Sequence, residues 1–101
     1  MIRLSDHEIS IIKQAFLSTF NPDDQLWIFG SRVDPDRKGG DIDLYIKTQY
    51  HNLDTLLDLK IKFHLEIERG LGERKIDIVI NTGHQQLKIY DIAETTGVKL
   101  I

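Results

Sequence analysis

The chain has 101 residues, 41% of them hydrophobic, no cysteine and a formal net charge of −3. That supplies apolar material for one core and leaves no room for a second domain, and without cysteine neither a disulfide framework nor a thiolate metal site can form. A net acidic chain is poorly suited to coating nucleic acid, whose phosphates attract a basic face, although a single nucleotide can be met locally by metal ions. The opening residues Met-Ile-Arg-Leu-Ser-Asp form no apolar signal run, and no segment approaches the length of a membrane span, so the expected setting is the cytoplasm.

In chain order, Ser5 and Glu8 have the spacing of a capping box, and Ile9, Ile12, Phe16 and Phe20 follow at helical period. They predict a first helix that ends near Asn21 and Pro22. Residues 26–29 make an apolar strand that runs into Gly30-Ser31-Arg32, and residues 42–46 make a second strand. A long helix is expected over residues 53–69, with Leu53, Leu57, Ile61 and Leu65 on one stripe, Leu56, Phe63 and Ile67 beside it, and Gly70 and Gly72 at its end. So broad an apolar surface on a small domain suggests an interface. Residues 75–80 form a third strand, Asn81-Thr82-Gly83 a turn, and residues 85–96 a last helix with Gly97 as its C-cap. There are no repeats, low-complexity tracts or linkers.

The chemistry concentrates in residues 28–46, IFGSRVDPDRKGGDIDLYI. Side chains alternate along a strand, so Asp41 and Asp43 share one face while Ile42, Leu44 and Ile46 fill the other. Two carboxylates forced together repel unless a cation lies between them, and hard oxygen ligands suit Mg²⁺ or Mn²⁺. Asp77, alone among apolar residues on the third strand, can join them if that strand lies alongside. Gly30 lets phosphates approach the backbone and can open a helix whose free N–H groups favour an anion. Ser31 adds a hydroxyl donor, and Arg32 a guanidinium fork matched to phosphate oxygens. A phosphate cradle facing an acid cluster is the equipment for metal-assisted transfer of a nucleotidyl group.

Gly30-Ser31, nine intervening residues, Asp41-Ile42-Asp43-Leu44 and a later strand acid at Asp77 together resemble the signature of the DNA polymerase beta type nucleotidyltransferase superfamily. The short chain is most similar to its minimal nucleotidyltransferases, commonly the antitoxin partners of HEPN-domain toxins. The resemblance covers nearly the whole sequence. It implies a single α/β (α+β) domain with a mixed, mostly antiparallel palm-like sheet and helices on one face. It also implies transfer of AMP from ATP to a hydroxyl, with a tyrosine of a HEPN toxin as acceptor. Asp41, Asp43 and Asp77 would be the catalytic metal ligands for Mg²⁺ or Mn²⁺, and Gly30, Ser31 and Arg32 would bind the nucleotide. Two other readings stand beside this one: an antitoxin that neutralises its toxin by coverage, and an enzyme that modifies a small molecule such as an aminoglycoside.

Plainer roles are weighed for each residue. Asp34, Asp36 and Gly39 follow the pattern of a calcium loop, but Lys38 and Tyr45 stand where oxygen ligands are required, so an exposed turn is expected. His64 is expected to be a hydrogen-bonded core or interface histidine, and His7, His51 and His84 have no metal spacing. Arg74 and Lys75 could reach a triphosphate or simply flank a strand. Trp27 is expected in the core. Asp41, Asp43 and Asp77 could each do no more than mark the polar face of a strand.

Overall fold

The computed structural model describes residues 2–33, 40–50 and 52–101. In chain order it contains α1 (Asp6–Thr19), β1 (Gln25–Phe29), a 3₁₀ turn (Gly30–Arg32), β2 (Ile42–Lys47), α2 (Leu53–Leu71), β3 (Ile76–Asn81), α3 (Lys88–Thr96) and β4 (Val98–Lys99). The four strands form one sheet in the order β3-β2-β1-β4. Both partners of β1 are antiparallel to it, and β3 lies parallel to β2. The mixed, mostly antiparallel α+β architecture agrees with the expectation. The calcium-loop residues Asp34, Asp36, Lys38 and Gly39 lie outside the described residues.

The capping box forms as expected: the Ser5 hydroxyl accepts from the Glu8 N–H at 3.1 Å, and Glu8 Oε1 accepts from the Ser5 N–H at 2.9 Å. Two of the donors left open at the start of α1 are thereby satisfied. The helix stops at Thr19, with Phe20 already extended and folded back onto Phe16 in a stacked pair. The long helix starts under an Asn52 cap, whose side chain accepts from the Thr55 N–H at 3.0 Å. Gly72, at φ +77°, ends it in a conformation that side-chain-bearing residues avoid. Gly70 lies inside α2 for a different reason. A Cβ there would stand 2.6 Å from Ile11 Cγ2, so the glycine sets how closely α1 and α2 approach.

Strand alternation sorts the core into two halves. Leu26, Ile28, Ile42, Leu44, Ile46, Ile76 and Ile78 meet Ile12, Phe16, Phe63 and Ile67 of α1 and α2. Trp27, Phe29 and Tyr45 point the other way and meet Tyr90 and Ala93 of α3. Helices therefore cover both faces, which corrects the expectation of helices on one face. The sequence hides this because α3 has only two buried positions, Tyr90 and Ala93, too few to read as a packing face. The last helix is also shorter than expected, beginning at Lys88 rather than Gln85. Gly97 caps it at φ −82°, outside the left-handed region. Close contact explains the glycine: a Cβ there would lie 2.4 Å from the Ala93 carbonyl and 2.7 Å from that of Ile28.

Of the long helix's two apolar stripes, Leu56, Phe63 and Ile67 are buried. Leu53, Leu57, Ile61 and Leu65 are 69%, 50%, 58% and 55% exposed, so that stripe faces outward. No helix of the described residues is long and apolar enough to cross a membrane.

Candidate functional site

Two of the three acids, Asp43 and Asp77, come together at one end of the sheet through strand register. Phe29 of β1 pairs with Asp43 of β2, and Asp43 pairs with Asp77 of β3. One step along, Trp27, Tyr45 and Val79 form the next row on the same face, under α3. Asp43 and Asp77 are thus direct neighbours across a parallel pair, about 4.8 Å apart by the spacing of strands. The β2–β3 crossover runs through α2, and without it two acids so far apart in sequence would not meet.

Asp41 lies just before β2. Its Oδ2 is 3.4 Å from Lys75 Nζ on the segment that leads into β3, and the Ile42 N–H donates to the Lys75 carbonyl at 3.0 Å. The two side chains are 37% and 74% exposed, so the ion pair is well solvated and exchanges readily. Lys75, weighed between a strand flank and a phosphate contact, is here the counter-ion of Asp41.

Among the described residues no three His, Cys, Asp or Glu side chains are gathered closely enough to hold one metal ion together. The arrangement is a register pair, Asp43 and Asp77, with Asp41 held to one side by Lys75. By donor type the three side chains suit Mg²⁺ or Mn²⁺, since all offer carboxylate oxygens.

The turn beside the acids is built differently from the expected phosphate cradle. The residues after Gly30 form only a three-residue 3₁₀ turn, closed by the Val33 N–H donating to the Gly30 carbonyl at 3.2 Å. No longer helix opens here to aim a set of N–H groups at an anion. Gly30 has φ +74°, and a Cβ on it would lie 2.2 Å from Asp43 Oδ2. Glycine is therefore required twice, by the left-handed backbone and by the carboxylate that occupies the side-chain position. Ser31 is buried, and its hydroxyl donates to the Asp41 carbonyl at 3.3 Å, long for an O–H···O bond. Arg32 donates from Nη1 to the Arg3 carbonyl at 3.0 Å and from Nη2 to the Gly40 carbonyl at 3.2 Å. Both ends of its fork are thus engaged with backbone.

Behind the acids, under α3, is a polar network that the sequence did not signal. Tyr45 is fully buried; its hydroxyl donates to Glu94 Oε2 at 2.7 Å and accepts from Asn81 Nδ2 at 2.9 Å. Burial pushes its pKa up to about 12, with the neighbouring Glu94 adding to the rise and the Asn81 bond opposing it. Tyr45 is therefore a neutral donor at physiological pH, and it pins α3 to the sheet two residues from Asp43. Lys47, 3.4 Å from Glu94 Oε1, closes the network on the solvent side. A Tyr at an alternating strand position and a Glu on a later helix give no local sign of meeting, which is why the pair escapes a reading of the sequence.

The remaining candidates have structural roles. Trp27 is core, 5.1 Å between ring centroids from Tyr45, with Lys99 Nζ 5.5 Å above its ring. His64 is a surface residue bonded to Glu68 at 2.7 Å one turn on, neither core nor ligand. Arg74 binds Glu8 Oε2 at 2.6 Å, tying the start of α1 to the approach to β3. Compared with known proteins, the sequence matches no family model and no curated protein.

Proposed function

We propose that this domain is a metal-dependent nucleotidyltransferase that passes AMP from ATP to a hydroxyl acceptor. The observation behind the reading is the row in which Asp43 and Asp77 sit side by side in register, with Asp43 packed against the positive-φ Gly30 of a Gly-Ser turn. A structural acid pair gains nothing from such proximity, whereas a pair facing a divalent ion is stabilised by it. Asp41, Asp43 and Asp77 would hold Mg²⁺ or Mn²⁺. Bound there, the ion supplies positive charge to the triphosphate and lowers the proton affinity of the attacking hydroxyl. In the transfer the hydroxyl oxygen bonds to the α-phosphorus, the bond from that phosphorus to the bridging oxygen breaks, and pyrophosphate leaves with the electron pair. Asp77, the most open of the acids, would take the hydroxyl proton. The Gly30-Ser31 turn sets the floor on which the triphosphate lies, and the weak Ser31 bond to the Asp41 carbonyl frees that hydroxyl for a phosphate oxygen.

The acceptor we propose is a tyrosine of a HEPN-domain toxin, which makes the domain an antitoxin acting by adenylylation in the cytoplasm. Intact-mass spectrometry of the toxin after co-expression tests this. An increment of one AMP or a small multiple is expected with the wild-type chain and none with Asp41→Asn/Asp43→Asn. A second reading, neutralisation by coverage alone, draws on the outward apolar stripe of Leu53, Leu57, Ile61 and Leu65. Protection of cells by the double variant, with no mass increment in either case, would favour coverage over chemistry.

A further inference from the structure

We infer that Arg3, on the segment preceding α1, is a positioning residue for the Gly30-Ser31-Arg32 turn. The inference rests on the nucleotidyltransferase reading of that turn. Three bonds join the two segments reciprocally. The Arg3 N–H donates to the Arg32 carbonyl at 2.7 Å, Arg32 Nη1 donates to the Arg3 carbonyl at 3.0 Å, and Arg3 Nη2 donates to the Ser31 carbonyl. Two of the three acceptors are carbonyls of the turn itself, so the segment before α1 acts as a brace along its outer side. The inner side of the same turn is fixed by Asp43 against Gly30 and by Ser31 against Asp41.

The brace has a physical purpose. A three-residue 3₁₀ turn closed by one 3.2 Å bond is a weak structure when isolated, and two of its three carbonyls find their donors on Arg3, outside it. The Arg3 guanidinium satisfies the Ser31 carbonyl with a charge-assisted bond, stronger than a neutral one, and the Arg3 N–H satisfies the Arg32 carbonyl. These bonds also place two cationic side chains beside the turn. The brace would hold the turn in a fixed geometry for a triphosphate lying on it.

Binding of ATP or tripolyphosphate with Mg²⁺ to wild type, Arg3→Ala and Arg3→Lys, followed by titration calorimetry, tests this alongside hydrogen exchange of the Val33 amide in ligand-free protein. Loss of one charge-assisted bond predicts about tenfold weaker binding in Arg3→Ala, read kinetically in KM with kcat preserved. Faster exchange at Val33, the amide that closes the turn, is expected with it. Arg3→Lys, able to give one bond to the Ser31 carbonyl, should recover most of both effects, and it serves as the test variant if Arg3→Ala does not fold. Weaker binding with unchanged Val33 exchange would overturn positioning in favour of direct contact. Unchanged affinity, with or without faster exchange, would overturn any role of the brace in binding. A wild-type protein that binds neither triphosphate would remove the nucleotidyltransferase reading, and this inference with it.

Discussion

The carboxylate of Asp43 occupies the position that a side chain on Gly30 would need: an added Cβ would lie 2.2 Å from Asp43 Oδ2. The turn residue and the acid are therefore one structural unit, and a change at either is felt at the other.

Gly30→Ala follows directly. The φ of +74° costs about 1 kcal/mol for an L-residue, and expelling the Asp43 carboxylate adds to it. A melting temperature lower by several degrees is expected, with loss of metal-dependent binding as Asp43 moves. The substitution therefore probes both halves of the site together, and a variant with wild-type stability and ATP affinity would contradict the packing.

Asp43→Asn keeps the shape of the side chain and removes its charge. Under the proposed function, Mg²⁺ with ATP at about a hundred times Kd stabilises the wild type by about 2.7 kcal/mol. In a domain of this size that is a rise of roughly 10 °C or more in melting temperature. Thermal denaturation with and without Mg²⁺ and ATP should show that rise in wild type and little of it in the variant.

Tyr45→Phe leaves Glu94 and Asn81 without their shared partner in the α3 interface. A loss of about 1–3 kcal/mol is expected, measured by urea denaturation. The wild type has a further signature at high pH. Because the folded pKa is raised from 10.0 to about 12, stability from the neutral phenol is complete below pH 10 and disappears as pH climbs toward 12. Tyr45→Phe should lack that decline.

Glu8 gives the opposite dependence. The Ser5 N–H, and after it Arg74, hold its carboxyl below the ordinary value of 4.5. The stabilisation is present above about pH 4.5 and is lost as pH falls through the lower folded value. Glu8→Gln should narrow the stability gap between pH 7 and pH 3, and equal acid sensitivity in wild type and variant would count against the capping box as a source of it.

The legibility of this chain in its sequence follows the range of the interactions. The capping box at Ser5, the strands around Ile28 and Leu44, and the buried row Leu56, Phe63 and Ile67 are local patterns and were readable. The placement of Asp77 beside Asp43 is only conditional in the sequence, on their strands lying side by side, and the parallel pairing of β2 with β3 supplies that condition. The purposes of Gly70 and Gly97 were not readable, since each depends on an atom of another element, Ile11 Cγ2 and the Ile28 carbonyl. The short β4 strand exists only through its pairing with Trp27 and Ile28, and nothing in Val98-Lys99 announces it. Arg3 was silent for the same reason.

Among the described residues Asp77 belongs to an outermost strand of the sheet, with β2 on one side and no strand on the other. Ile78, Val79 and Ile80 follow it in a run of high β propensity, the kind of margin on which a second chain can add itself. A charge at the start of that run discourages edge-to-edge pairing, whatever its part in chemistry. Under the proposed function, neutralising it therefore has two expected consequences: loss of activity, and a tendency to self-associate that the same change at Asp43, flanked by strands on both sides, does not bring. Light scattering of Asp77→Asn beside Asp43→Asn should separate them, with growth of large species expected in the first alone.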